Sequence, residues 1–208
     1  MRQINSRLAL ALSFVAVLLS SQIALAEPPR QPAATRPSAP SPFDQPFAIA
    51  GYATAWHGAY GGIGIGGRAR WEPFERLGID LYSEHLVVQT PHGLRHDHPI
   101  GFNAYVPIPL TAALRLRPLF GFCAVLSFIK SDEAQAPQAD DVLLGVHGGL
   151  GLELAIGSSL SAFAEAQASV WLGHDRTVQG WTGAIDNGMS SFGVVQAALG
   201  LAWHLGAP

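Results

Sequence analysis

The stretch Val142–Leu172, VLLGVHGGLGLELAIGSSLSAFAEAQASVWL, alternates apolar and polar residues on both sides of one tight turn. In its first run Val142, Leu144, Val146, Leu150, Leu152, Leu154 and Ile156 share one parity, and His147, Gly149, Gly151 and Glu153 share the other. A period of two belongs to a strand, because successive side chains on extended backbone point to opposite faces. Gly157-Ser158-Ser159 supplies turn chemistry. The return run then sets Leu160, Ala162, Ala164, Ala166, Ala168, Val170 and Leu172 against Ser161, Glu165, Gln167 and Ser169. Both runs are longer than the roughly five or six residues of an ordinary soluble strand. A strand of about ten residues with one unbroken apolar face has the length of a tilted bilayer crossing. A hairpin from a large soluble sandwich is the competing reading, and the remainder of the chain decides between them.

Composition favours the membrane. Hydrophobic residues make up 49% of the chain and charged residues only 13%, against about 25% charged in a typical soluble domain. Something other than a charged surface must therefore keep the protein dispersed. After the first residues no apolar run reaches the roughly 20 residues of a membrane helix, so the apolar excess lies in short alternating segments. The 23 glycines and the scarcity of helix-period runs favour an all-β domain. A formal net charge of −3 gives no basis for a nucleic-acid partner or a polybasic membrane-surface mode. Cys123 is the single cysteine, which excludes an intrachain disulfide.

Three segments follow. Arg2 and Arg7 precede the apolar run Leu8–Leu19, and Ala24-Leu25-Ala26 offers a small-x-small cleavage site before Glu27, so residues 1–26 read as a secretory signal peptide. Residues 27–46 carry Pro28, Pro29, Pro32, Pro37, Pro40, Pro42 and Pro46 with few apolar side chains between them, and are expected to form an extended, disordered linker. Residues 47–208 hold the strands. Phe47–Trp56 is a short candidate, and Ala59–Trp71 alternates Ile63, Ile65 and Ala69 with Gly62, Gly64, Gly66, Arg68 and Arg70. Gly62, Gly64 and Gly67 match the spacing of a phosphate-cradling loop, but no helix-period segment follows, and strand glycines where backbones crowd or curve strongly are the better explanation.

Further on, Leu77, Ile79 and Leu81 alternate with Asp80, Tyr82 and Glu84 in a strand ending near Val88. Thr90–Pro99 reads as a polar loop with His92, His96, Asp97 and His98. Ile100, Phe102, Ala104, Val106 and Ile108 then share a face, as do Leu114, Leu116, Phe120, Phe122, Leu126 and Phe128 opposite Arg115, Arg117, Cys123 and Ser127. Lys130–Asp141 and Gly173–Ser190 read as further polar loops, and the last strand runs from about Ser191 to Leu205. Long polar loops thus alternate with short turns, the asymmetry expected when one side faces outward and the other a periplasm.

These observations predict an all-β fold, an eight-stranded antiparallel up-and-down transmembrane β-barrel with no free sheet edges. With the apolar parity facing lipid, the inward set includes Arg68, Arg70, Asp80, Glu84, Arg115, Arg117, His147, Glu153, Glu165, Gln167, Gln196 and His204. Four arginines meet four carboxylates. Buried charges are tolerated only when paired and hydrogen-bonded, so Arg68, Arg70, Asp80, Glu84, Arg115, Arg117, Glu153 and Glu165 are expected to form an ion-pair network plugging the periplasmic half of the lumen.

The pattern over residues 47–205 resembles that of small outer-membrane β-barrel proteins of the OmpA and OmpX type. A local motif adds to it: Gly200-Leu201-Ala202-Trp203-His204-Leu205 looks like the terminal-strand signal read by the barrel-insertion machinery, with Gly200, Trp203 and Leu205 as its elements. The chain ends on Gly206-Ala207-Pro208 rather than on the Phe common in that family. The resemblance implies outer-membrane localisation, outer-membrane lipid and the insertion machinery as partners, a monomeric state, and a structural or adhesive porin-like role without catalysis. A lipid-acting enzyme of the deacylase or acyltransferase kind, or a narrow channel, is the alternative.

Chemistry-bearing residues are sparse. His92, His96, Asp97 and His98, with His174 and Asp175, invite a metal reading, but their spacing is loose. Ser127, Ser169, His147 and Glu165 are candidate inward groups for a Ser/His/acid arrangement, though no local motif sets a nucleophile beside a base. Cys123 is expected to pack in the lumen. No catalytic residue, metal site or cofactor is assigned.

Overall fold

Alternation of small or polar with bulky apolar side chains carries almost every strand further than the sequence pattern suggested. The structure, a computed structural model, describes residues 41–58, 61–90, 93–130, 140–173 and 190–206. Eight long strands cross the domain: β1 (Phe47–His57), β2 (Gly61–Phe74), β3 (Leu77–Thr90), β4 (Gly93–Tyr105), β5 (Leu114–Lys130), β6 (Asp140–Ala155), β7 (Leu160–Gly173) and β8 (Ser190–Leu205). Each pairs antiparallel with its chain neighbour, and a two-residue strand, Ile108–Pro109, joins β5 within one connection. The ring closes where β1 meets β8, in register from Phe47↔Leu205 to His57↔Val195. The result is a closed, eight-stranded, all-antiparallel barrel.

Its polarity is inverted relative to a water-soluble protein. Ile63 (72% exposed), Ile65 (68%), Leu144 (63%) and Leu199 (66%) stand on the outer face, while Asp80, Arg117 and Glu153 have none of their surface exposed. An apolar outer surface this extensive is far beyond what a soluble monomer presents. Phe47 and Trp71 stack with centroids 6.3 Å apart on the outside near the end where β1 begins and β8 finishes, and Trp203 is exposed at the same end. Among the described residues no helix is long and apolar enough to cross a membrane.

The glycine-rich run of β2 is strand throughout. Gly62, Gly64 and Gly66 point inward, and the space their missing side chains leave is filled from neighbouring strands by Trp56, Leu86 and the Tyr52 ring. An eight-stranded tube is narrow, so large rings fit only opposite residues without a Cβ.

Two expectations need correction. Thr90–Pro99 is not a polar loop: Thr90 pairs with Gly93, leaving only Pro91 and His92 between β3 and β4, and Gly93–Pro99 belongs to the strand. Its polar residues still obey a period of two, with Arg95 and Asp97 buried inside and His96 and His98 on the outer side. Long and short connections therefore do not alternate throughout, since 106–113, at the end where β1 begins, is longer than 91–92 at the other. Nor is the linker disordered up to residue 46. Pro42–Asp44 form a 3-10 helix closed by a capping box, in which the Ser41 hydroxyl accepts from Phe43 N at 3.3 Å and Asp44 accepts from Ser41 N at 3.0 Å. Residues 1–40, with the expected signal peptide and the rest of the linker, lie outside the described residues.

Candidate functional site

The lumen is filled in layers. At the mouth where β1 begins and β8 finishes, residues 41–46 lie across the opening: Phe43 stacks under the Arg115 guanidinium at 4.2 Å and meets the His204 ring edge-on at 5.9 Å. Gln45 Nε2 donates to Ser158 O at 3.1 Å, and Glu72 N donates to Pro46 O at 2.7 Å. Sequence pattern gave no sign of this cap beyond the Ser-x-x-Asp spacing of its capping box.

Above it sits the charged layer. Arg70 Nη1 donates to both oxygens of Glu153 at 2.7 and 2.8 Å, and Arg70 Nε donates to Asp80 Oδ1 at 3.1 Å. Arg68 forks onto Glu165 at 2.9 and 3.1 Å and reaches Asp80 Oδ2 at 3.1 Å. Arg117 Nη2 donates to Asp80 Oδ2 at 2.8 Å, so Asp80 accepts from three arginines. Arg115 Nε donates to Glu153 at 3.1 Å and Arg115 Nη1 and Nη2 grip Glu72 at 2.8 and 2.7 Å. The planar guanidinium suits such forks, and charged hydrogen bonds are the strong ones. Arg117 also lies over the Tyr105 ring at 3.9 Å, and Arg68 over Tyr52 at 4.5 Å.

Seven of the eight residues read as one network do meet here. Glu84 does not: it accepts from Tyr52 Oη at 2.9 Å and from Gln196 Nε2 at 2.8 Å, neutral donors in both cases. Its place among the arginines' partners is taken by Glu72, which sits beside Pro73 at the end of β2, where the strand register shifts.

Beyond the polar layers comes an apolar one. Trp56, Leu86, Val88, Cys123, Val125, Leu143, Trp171 and Val194 form a buried cluster, with the two indole rings 4.9 Å apart. A final polar group lies toward the far end: Arg95 Nε donates to Asp97 Oδ1 at 2.7 Å, Arg95 Nη2 to Ser127 Oγ at 3.0 Å, and Ser127 Oγ to Asp97 Oδ1 at 2.6 Å. Neither layer was foreseen. The first needs apolar residues on the inward parity, and the second lies in what reads as a loop.

The catalytic candidates are dispersed. Ser127 is tied to Asp97, His147 Nε2 meets Asn103 Oδ1 at 2.5 Å, and Glu165 belongs to Arg68. Ser169 pairs with His147 in the β6–β7 register, and Cys123 is buried. One Ser/His/acid grouping does form, with Ser161 Oγ 2.8 Å from His204 Nε2 and 2.5 Å from Glu153 Oε1. Glu153 approaches the same ring nitrogen at 3.4 Å. A general base needs its acid on the opposite nitrogen, so the grouping lacks the triad arrangement, and all three side chains are buried. Of the metal candidates, Asp97 points inward, His96 and His98 point outward, and His92, His174 and Asp175 lie outside the described residues. Of the terminal-strand residues, Trp203 and Leu205 are exposed outside (58% and 43%), while Gly200 lies beneath the Phe163 ring and beside the Tyr52 Cβ.

No protein-family profile and no curated protein matches the chain. Solved structures do. Neisserial surface protein A from Neisseria superposes with a TM-score of 0.54 at 11% identity, covering 76% of this chain and 97% of its own. The outer-membrane protein OprG of Pseudomonas aeruginosa gives a TM-score of 0.54 at 10% identity, over 78% and 97%. At such identities the likeness speaks for fold, and the architecture it assigns is that of a small eight-stranded outer-membrane barrel.

Proposed function

We propose that this protein resides in the bacterial outer membrane as a closed, non-conducting barrel, and that it serves a structural or surface-adhesive role rather than a catalytic one. The observation that carries this reading is the stacked lumen: a terminal cap, a paired-charge layer, an apolar layer with two facing tryptophans, and a second polar group. No single side-chain movement opens a path through all of them. The apolar outer belt supports a lipid environment, and the balanced charge inside supports a plug over a selectivity filter, which keeps water beside its charged ring. The two longest connections, 131–139 and 174–189, leave the barrel at the end remote from the start of β1, where a surface role would place its contacts. Outer-membrane lipid and, during biogenesis, the insertion machinery are its partners, and the working unit is a monomer.

Planar-bilayer recording of the purified protein tests the closed lumen. Only leak current is expected, and steady unitary openings would overturn the reading in favour of a channel. Mass spectrometry of lipid A after incubation with the protein covers the enzymatic alternative; any acyl loss or gain would overturn the non-catalytic assignment.

A further inference from the structure

We propose that His85 and His98, with His96 as third ligand, form a transition-metal site on the outer face of the β3–β4 hairpin, suited to Zn²⁺ or Cu²⁺. The outer belt of this barrel is apolar almost everywhere, yet three imidazoles stand together on it. His85 lies five positions before Thr90 and His98 five positions after Gly93, the pair that closes the hairpin. Ser83↔Ile100 and Leu86↔Asp97 share one register, which sets His85 directly across from His98. Pro99 has no N–H to give the ladder beside them.

The geometry matches what a metal requires. His85 Nδ1 and His98 Nδ1 are 3.4 Å apart. In a tetrahedral zinc site with Zn–N bonds of about 2.0–2.1 Å, the edge between two ligand nitrogens is about 3.3 Å. The two nitrogens thus stand as far apart as two ligands of one ion. Among the described residues no three ligating groups converge as they stand, and His96 is the one that must turn. Its ring centroid is 5.4 Å from that of His85, and it shares a face with His98 two positions along the strand. Rotation about its side-chain bonds, to bring a nitrogen to the same point, is the one movement the site requires of it.

The three imidazoles stand among apolar side chains. The neighbours on the outer face are Ile65, Val87, Leu126 and Phe128. Phe128 packs edge-on against His98 with centroids 5.6 Å apart. Asp97 and Glu84, the nearest carboxylates in sequence, face the lumen on the other side of the sheet and cannot bind there. Polar ionisable residues on a lipid-facing surface are costly unless they serve a function. The pair lies in the half of the barrel remote from the start of β1, so water or an anionic headgroup oxygen would complete the coordination. This last detail and the cost of ionisable residues on a lipid-facing surface rest on the proposed membrane placement.

The test uses the untagged full chain, folded in detergent micelles and titrated with Zn²⁺ by calorimetry, so that its outcome does not depend on where the protein resides. One ion per barrel is expected, and His85→Ala or His98→Ala should each weaken binding by about a hundredfold or more, beyond the loss usual for an outer-sphere partner. His96→Ala should weaken it less, and His92→Ala and His174→Ala should leave it unchanged. Cu²⁺ electron paramagnetic resonance should show nitrogen couplings from at least two imidazoles, reduced in His85→Ala. Outward alanines fit an apolar belt, and retained heat-modifiable gel mobility would show that the variants fold. Absence of binding, meaning a hydrogen-bonded histidine pair only, or binding that survives both His85→Ala and His98→Ala, would overturn the proposal.

Discussion

Arg117→Met removes one positive charge from the centre of the barrel while keeping most of the side-chain volume. Arg117 is wholly buried, donates to Asp80 at 2.8 Å, lies 3.6 Å from Glu153 and covers the Tyr105 ring. The native layer sets Arg68, Arg70, Arg115 and Arg117 against Glu72, Asp80, Glu153 and Glu165; the variant leaves three cations facing four carboxylates. Removing one partner of a buried pair costs about 3–5 kcal/mol. The lower end applies here, because Asp80 still receives Arg68 and Arg70, so about 3 kcal/mol is expected. Asp80→Asn in the same chain restores the balance at three against three. The double variant should then be less destabilised than the two single losses added together, with a coupling of about 1–3 kcal/mol. Reversible urea unfolding in lipid vesicles, followed by tryptophan fluorescence and gel mobility, measures all four corners of the cycle. A single variant within about 0.5 kcal/mol of the native protein, the range of ordinary surface changes, would refute the buried-network reasoning, as would strict additivity.

Three further outcomes are expected. Trp203→Asp puts a charge on the exposed face of the last strand; near the edge of the apolar belt this costs about 1 kcal/mol, and membrane-fraction immunoblots should show less assembled protein, whereas native levels would contradict the outward role. Phe43→Ala removes the ring beneath Arg115 and should lower stability by about 1 kcal/mol, the scale of a partly desolvated cation–π contact, without unfolding the barrel; an unchanged urea midpoint would mean the cap contributes nothing. Gly66→Val drives a side chain into the Tyr52 ring, which must leave Glu84, so overpacking should cost about 1–3 kcal/mol; a crystal structure with Tyr52 unmoved would count against the ring-over-glycine account.

Much of this architecture was legible from parity alone. Val142–Leu172 placed its apolar row outside and Glu153, Glu165 and His147 inside because a strand has no freedom to do otherwise once one face is greasy. Parity is hard to read where both faces carry apolar residues: Leu143, Trp171, Leu86 and Val88 fall on the inward parity but have the chemistry of lipid-facing side chains, and only the barrel's closure shows that they stack inside. It is hard to read again where composition masks period, as in Leu94–Pro99, whose charges and histidines read as loop although Arg95 and Asp97 alternate with His96 and His98. Glu72 was passed over because its neighbour Pro73 marks a strand end, and pairing of Arg115 with it depends on strands that meet only in three dimensions. Phe43 sits in a proline-rich setting that suggests no structure, and its order comes from contacts made across the mouth.

The charged layer also bears on how the barrel comes together. Arg68 finds Glu165 across 97 residues of chain, and Arg70 finds Glu153 across 83. Neither partner is within reach while the sheet is an open ribbon, because β2 then lies far from β6 and β7. A partly curled sheet therefore leaves Arg68 and Arg70 sharing Asp80 alone, across the β2–β3 hairpin, and their second carboxylates arrive only when the ends join. Closure satisfies the whole set at once. The same side chains that fill the finished tube thus penalise every half-built one, which should make insertion all-or-none, with no long-lived open intermediate, and should place most of its activation barrier before the seam between first and last strands has formed.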